Sequence, residues 1–391
     1  MSIRAFYGFD GVGQGVQGSS GDAMLAPLNG AGVTGTRNQP LTIKLYNVAA
    51  HQYNAVGVTG LEQHKVGKAG ERRNALVLYR NSYAISFTSG ATVNLLENFE
   101  GRTDKPWRSI VGFTWADFSA TNPTVAYWLA RVSRNTSYFN LIQRRNYDAL
   151  TIAGKDFPIE RNREYYIEVE MFCDNPVAGR SSNPTSCRVW IDGQLAGEWI
   201  DSFGAYASNA STLVGLEVGY VAHASNPLPL YMGVADVYVL DGTGESPYNE
   251  RLGTQKVRTV KPSGVVEDRW VPVGTSDALA ALTDGSDATG LKSPKGSATG
   301  VLELELGLNS KSIVNGLLVY GRGMRDNGAQ RQITSKIEDL NGELVGEQHI
   351  AYMGPSLNDV VLVDYLPSRT LDMSALNGNH LSNVTVDFKV D

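Results

Sequence analysis

Apolar and polar residues alternate along most of this chain with a period of two, in short runs separated by clusters of Gly, Asp, Asn and Ser. Side chains point to opposite faces of a strand at every step, so this rhythm predicts strands with one face turned inward. From Ala75 onward the runs ALVLYR, YAISFTS, SIVGFTWADF, VAYWLARVS and YFNLIQRR follow one another with polar turns between them. ALTIAG comes next, and then Tyr165, Ile167, Val169, Met171 and Cys173 share one face while Glu168 and Glu170 take the other. The return strand is Cys187, Val189 and Ile191, and it ends at Asp192-Gly193, a dipeptide suited to a tight hairpin turn into LAGEWI. LVGLEVGYVAH and YMGVADVYVL close the series.

A second β-patterned region begins near Gln255. DALAALTDG predicts one short helical turn, and Leu302, Leu304, Leu306 and Leu308 alternate with Glu303 and Glu305 as a half-buried strand. SIVNGLLVYGR is more continuously apolar and suits a central strand. SKIEDLNGELVGEQHI reads as a hairpin about Asn341-Gly342, and Val384, Val386, Phe388 and Val390 as a last strand. No internal repeat is present. The fold class expected is all-β: a jelly-roll sandwich over residues 1-253 and a smaller C-terminal antiparallel β-sandwich over residues 254-391.

Composition agrees with that picture. The 391 residues suffice for two cored domains, and 42 glycines with only 19% charged residues favour turns and strands over helices. The net charge of -6 is spread without a block of either sign, which argues against phosphate-driven nucleic-acid binding. No apolar run is long enough for a secretory signal or a membrane helix, so cytoplasmic synthesis is expected. Cys173 and Cys187 flank a polar loop; register leaves a bridge open, and cytosolic synthesis favours free thiols.

Few residues offer chemistry. Gly13, Gly15 and Gly18 match G-x-G-x-x-G, yet SSGDAMLAPLNGAG follows in place of an apolar helix, so the Gly11 to Gly35 passage reads as a wrapping loop. His51, His64, His223, His349 and His380 are scattered, with no zinc spacing. No G-x-S-x-G elbow occurs, and the sequons at Asn135, Asn209 and Asn383 read as chance in a protein without a leader. Trp107, Trp115, Trp128, Trp190 and Trp199 lie in the first domain and Trp270 in the connector; core burial is expected for most, and any ring left outside would suit a sugar or an interface.

The seam between the domains carries a family resemblance. Residues 236 to 244, DVYVLDGTG, have the form D-x-Y-V-x-D-x-x-G, and N-x-x-x-G follows at Asn249 to Gly253. With E-Y-Y-I-E-V, a loop and R-V-W-I-D-G-Q upstream, this resembles tailed-bacteriophage virion proteins with a concanavalin A-like (laminin-G-like) jelly roll before a second β domain. The resemblance implies a non-enzymatic structural component of the virion, at neck, tail, baseplate or capsid, acting as an oligomer with other virion proteins as partners. With no metal spacing, no charge block and no long apolar run, no cofactor, metal, nucleic acid or membrane is expected beside it. A glycan-binding adhesin for host surface polysaccharide is the second reading, and a glycoside hydrolase the third. For the third, Glu168 and Glu170 are the carboxylate pair, but the E-x-D-x-x-E and E-x-D-x-E patterns of laminarinase-like enzymes are missing. Solvated glutamates on an outer strand face are therefore expected, and the Asp201, Asn209, Asp236 and Asp241 side chains are expected to be turn residues in preference to Ca²⁺ ligands.

Overall fold

Period-two alternation produces antiparallel sheets throughout. The structure is a computed structural model, and it describes residues 3–7, 42–46, 65–66, 73–74, 76–80, 86–100, 106–117, 127–134, 137–146, 148–160, 163–175, 185–200, 213–224, 230–240, 249–257, 260–284, 288–293, 298–305, 315, 317–324, 331–338, 349–353, 355, 358–365 and 383–390. The chain divides into two units, Met1–Arg258 and Thr259–Asp391.

In chain order the first unit holds β1 (Ile3–Tyr7), β2 (Thr42–Tyr46), β3 (Lys65–Val66), β4 (Arg73–Asn74), β5 (Leu76–Arg80), β6 (Ser86–Glu100), β7 (Trp107–Asp117) and β8 (Tyr127–Arg134). It continues with β9 (Ser137–Asn146), β10 (Ala149–Ile152), β11 (Lys155–Pro158), β12 (Glu164–Cys173), β13 (Ser186–Ile191), β14 (Gln194–Trp199), β15 (Leu213–Ala224) and β16 (Leu230–Leu240). Two seven-stranded antiparallel sheets form the jelly-roll sandwich. The first runs β1-β16-β7-β12-β13-β14, with β5 also on β16; the second runs β11-β10-β9-β8-β15-β6-β2.

The core lies between these sheets. Val111, Phe113 and Trp115 of β7 pair with Val169, Ile167 and Tyr165 of β12, and Val189 and Ile191 of β13 continue the same inner face. All are buried. At about 25 cal/mol per Å² of apolar surface removed from water, this interleaved layer is the main source of stability in the first unit. Asp192 and Gly193, at φ 49° and 80°, make the tight β13–β14 turn that the Asp-Gly dipeptide predicts. Cys173 and Cys187 point into this core as free, buried thiols, and burial pushes the Cys187 thiol well above its ordinary range.

Two features depart from a half-buried sandwich. β7 and β12 are buried along nearly their whole lengths, on both faces. β16 carries a bulge against β7, with Ala235 opposite Thr114 and Tyr238 opposite Gly112, so one extra residue falls on β16. Asp236 sits at that bulge at φ 50°, a left-handed conformation that Asp tolerates better than most residues.

The second unit holds β17 (Gly264–Asp268), β18 (Val271–Val273), α1 (Ala278–Thr283), β19 (Gly290–Lys292), β20 (Ala298–Glu305), β21 (Leu317–Gly323), β22 (Arg331–Glu338), β23 (His349–Met353), β24 (Asn358–Tyr365) and β25 (Asn383–Val390). A five-stranded antiparallel sheet runs β17-β20-β25-β22-β23, and β22 buries Ile333 and Ile337 on one face. Asp277 caps α1 by accepting from the Leu279 and Ala280 amides. Among the described residues the apolar segment at β21 pairs with β24. Continuous hydrophobicity reports burial on both faces, and it does not say how many neighbours a strand has. No helix among the described residues is long and apolar enough to cross a membrane.

Candidate functional site

On the outer face of the first sheet, four strands place one residue each in a single row. Tyr238 of β16 lies opposite Gly112 of β7, Gly112 opposite Glu168 of β12, and Glu168 opposite Trp190 of β13. Gly112 is what lets the row close. A Cβ there would come within 2.2 Å of Tyr238 Cε1, so only a glycine allows the phenol ring to lie across β7. The Tyr238 hydroxyl then donates to Glu168 Oε1 at 2.5 Å.

Residues 249–257 pass over this row as a strap with bends at Glu250 and Thr254. Arg251 Nη1 donates to Glu168 Oε2 at 2.8 Å, and its guanidinium carbon lies 4.2 Å from the centroid of the Trp190 ring. The Gly253 amide donates to Glu168 Oε1 at 3.0 Å and the Leu252 amide to the Tyr238 oxygen at 3.2 Å. Further along, the Val257 amide donates to Asp236 Oδ1 at 3.0 Å. Asp236 also accepts from Thr114 Oγ1 at 2.7 Å, and its carbonyl accepts from the Tyr166 hydroxyl at 3.2 Å. The Tyr166 and Tyr238 rings stack at 6.4 Å.

Burial raises both phenols well above the ordinary tyrosine value. For Tyr166 the neighbouring Tyr238, Asp236 and Glu168 add to that effect; for Tyr238 the Glu168 carboxylate does. A phenol held protonated in this way donates hydrogen bonds and does not serve as a base near neutral pH.

One step along β12, Glu170 is held between strands. Arg108 Nε reaches Glu170 Oε1 at 3.0 Å and Arg188 Nη1 reaches Oε2 at 3.5 Å. Both guanidinium groups lie over the Phe172 ring, at 5.7 and 4.5 Å. Arg108 and Arg188 stay about one-third exposed while the carboxylate between them is buried.

The expectation of solvated glutamates is therefore corrected. Glu168 and Glu170 do share the outer face, but their side chains are 1% and 5% exposed, and each of the four carboxylate oxygens has a donor. A carboxylate is tolerated at such burial only when it is paired. Asp236, expected as a turn residue, instead sits in β16 at the bulge and accepts from Thr114 and Val257. Asp201, Asn209 and Asp241 lie outside the described residues, as do Gly13, Gly15, Gly18, His51, His64 and His380 and the Asn341-Gly342 turn. Among the described residues no group of three or more His, Cys, Asp or Glu is arranged to hold a metal. Of the tryptophans, Trp115 is in the core, whereas Trp107, Trp128, Trp190, Trp199 and Trp270 are half-buried. Sequence reasoning missed Gly112, Tyr238 and Arg251 as members of a site; Tyr238, Arg251 and their neighbours did lie within the two seam patterns.

No family model matches the chain, and no curated protein does. Similar solved structures are alginate lyases. The family 7 alginate lyase A1-II′ bound to a product is 12% identical, with 48% of this chain and 86% of that one covered and a TM-score of 0.31. Alginate lyase Aly36B with an alginate trisaccharide is 9% identical, covers 61% and 98%, and has a TM-score of 0.37. Alginate lyase AlyC3 with dimannuronate is 11% identical, covers 51% and 89%, and has a TM-score of 0.31. At these values the likeness transfers no residue role. The expectation of a non-enzymatic virion component, with its bacteriophage tail and capsid setting, is nonetheless overturned: the solved structures this chain is similar to are enzymes acting on a polysaccharide, and none of those named is a virion protein. A period-two pattern and a turn motif specify a sandwich, and a sandwich hosts enzymes as readily as scaffolds.

Proposed function

We propose that the first unit is directed at polysaccharide and meets the glycan chain along the outer face of its first sheet. The observation that supports this reading most is the row of Tyr238, Gly112, Glu168 and Trp190, which sets a phenol, a carboxylate and an indole beside a bare glycine on four adjacent strands. Sugars are gripped by stacking of their C–H faces on aromatic rings and by hydrogen bonds from their hydroxyls to fixed acceptors. Strands about 4.8 Å apart repeat at the scale of a sugar ring, so a sheet face can follow a polymer.

Glu168 and Glu170 enter this reading as binding and positioning groups. A hydrolytic pair needs one carboxyl free to give a proton, whereas both Glu168 oxygens already accept hydrogen bonds and both Glu170 oxygens are ion-paired with arginine. The test is to incubate the full chain with alginate and, separately, with a neutral β-glucan, following retention in affinity electrophoresis and the appearance of new reducing or unsaturated ends. Retention by at least one polymer, abolished in Trp190→Ala, is the expected result. Failure of every glycan to retain the wild-type chain and its strap-weakened variant would remove the proposal.

A further inference from the structure

We infer that the strap formed by residues 249–257 occupies the glycan trough in cis, that Arg251 stands where a sugar ring stacks, and that the uncovered trough takes a neutral, hydroxyl-rich pyranose. This rests on the polysaccharide reading above and adds to it what fills the trough and which sugars displace it.

Arg251 makes the two contacts that a bound pyranose makes. Its planar guanidinium covers the Trp190 ring at 4.2 Å, and its Nη1 donates to Glu168 Oε2 at 2.8 Å. A sugar ring on the same indole would use its C–H face for the first contact and a hydroxyl for the second. The backbone repeats the substitution, since the Gly253 and Val257 amides satisfy the Glu168 and Asp236 carboxylates that sugar hydroxyls would otherwise satisfy.

The strap is built to be exchanged. Residues 249–257 pair with no strand among the described residues, Thr254 and Lys256 are exposed, and Arg251, Leu252, Gly253 and Val257 are tied to the sheet face by hydrogen bonds and by a cation over a ring. Polar contacts of this type can be swapped one for one by a hydroxylated ligand, whereas a packed apolar plug could not be.

Charge selects the ligand. With the strap lifted, the floor presents the Glu168 and Asp236 carboxylates and the Tyr166 and Tyr238 hydroxyls, and the cation that neutralised Glu168 has left with the strap. A uronate would bring its own carboxylate against these acids, while an uncharged ring brings only donors. The arginines that could receive a uronate, Arg108 and Arg188, are tied to Glu170 farther along the face.

The experiment titrates laminarin-derived oligosaccharides and alginate tetrasaccharide into wild-type protein, Arg251→Ala and Trp190→Ala by calorimetry. Masking lowers apparent affinity by the fraction of molecules that are open, so Arg251→Ala should bind the neutral oligosaccharide about tenfold tighter than wild type. Trp190→Ala should lose that binding, and alginate tetrasaccharide should gain nothing from Arg251→Ala. On the wild-type chain, saturating neutral oligosaccharide should speed tryptic cleavage after Lys256, a readout that needs no variant. Equal affinities in wild type and Arg251→Ala, unchanged cleavage at Lys256, or a preference of Arg251→Ala for alginate would each overturn the masking inference while leaving the polysaccharide reading in place. Absence of binding by any oligosaccharide to any of the three proteins would instead remove the reading on which it rests.

Discussion

Single side chains decide whether the outer face of the first sheet can assemble. Gly112 is the most sensitive of them, because a Cβ at 2.2 Å from Tyr238 Cε1 meets the body of a ring pinned by its own hydrogen bond. Gly112→Ala should cost about 1–3 kcal/mol, the usual range for overpacking, seen as a lower urea midpoint for the first unit. Glu168→Gln keeps the shape and removes the charge that holds Arg251. With Glu168 fully buried and Arg251 29% exposed, a loss of about 1–3 kcal/mol is expected in the same measurement, together with faster tryptic cleavage of the strap. Cys173 and Cys187 should resist alkylation in the folded protein and react together on unfolding, since both are buried in the core. Beyond the free thiols and the shared face of Glu168 and Glu170, this residue-level wiring was not legible in the sequence. Glutamates alternating with apolar residues look the same whether water or arginine covers them, and the partners of Glu168 lie 70, 83 and 85 positions away.

Strands and turns were far more legible. Over the described residues the runs between Leu76 and Leu240 fall on strands, the Asp192-Gly193 turn forms with both residues at positive φ, and the short helix begins where DALAALTDG places it. Local alternation and turn chemistry determine these elements, so a local reading finds them. The bulge at Asp236 was hidden, because period-two counting puts Asp236 and Tyr238 on one face without an interruption, and only pairing with β7 reveals the extra residue. The seam patterns gain a physical meaning at this scale. Asp236 and Tyr238 of D-x-Y-V-x-D-x-x-G accept from the strap, while Arg251 and Gly253 of N-x-x-x-G donate to Glu168. The two patterns are the halves of one clasp. Val257→Pro tests this, since proline has no amide hydrogen to give Asp236. Limited proteolysis should then open the chain near residues 249–257 while far-ultraviolet circular dichroism stays that of a β protein.

For the molecule as a whole, the buried phenols and the buried thiol set an alkaline limit. Tyr166 and Tyr238 hold their protons to higher pH when folded than when unfolded, where the phenol value is about 10. Their contribution to stability is complete below about pH 10 and falls as pH rises toward the folded values, because the unfolded chain then gives up protons the folded one keeps. Cys187 acts in the same direction from the ordinary thiol range upward. Stability measured by chemical denaturation should therefore decline above about pH 9, and tyrosinate absorbance should show some phenols titrating only as the fold is lost. The strap also has a consequence for the order in which the protein forms. Its acceptors belong to Thr114-bound Asp236, Glu168 and Tyr238, contributed by strands that must first meet across long stretches of chain. Closing such distant loops is slow compared with forming a hairpin, so the landing surface for residues 249–257 exists only after β7, β12 and β16 are in register. The clasp is thus a late step of folding, and a refolding chain whose three strands have not yet come into register would leave that stretch open to proteases.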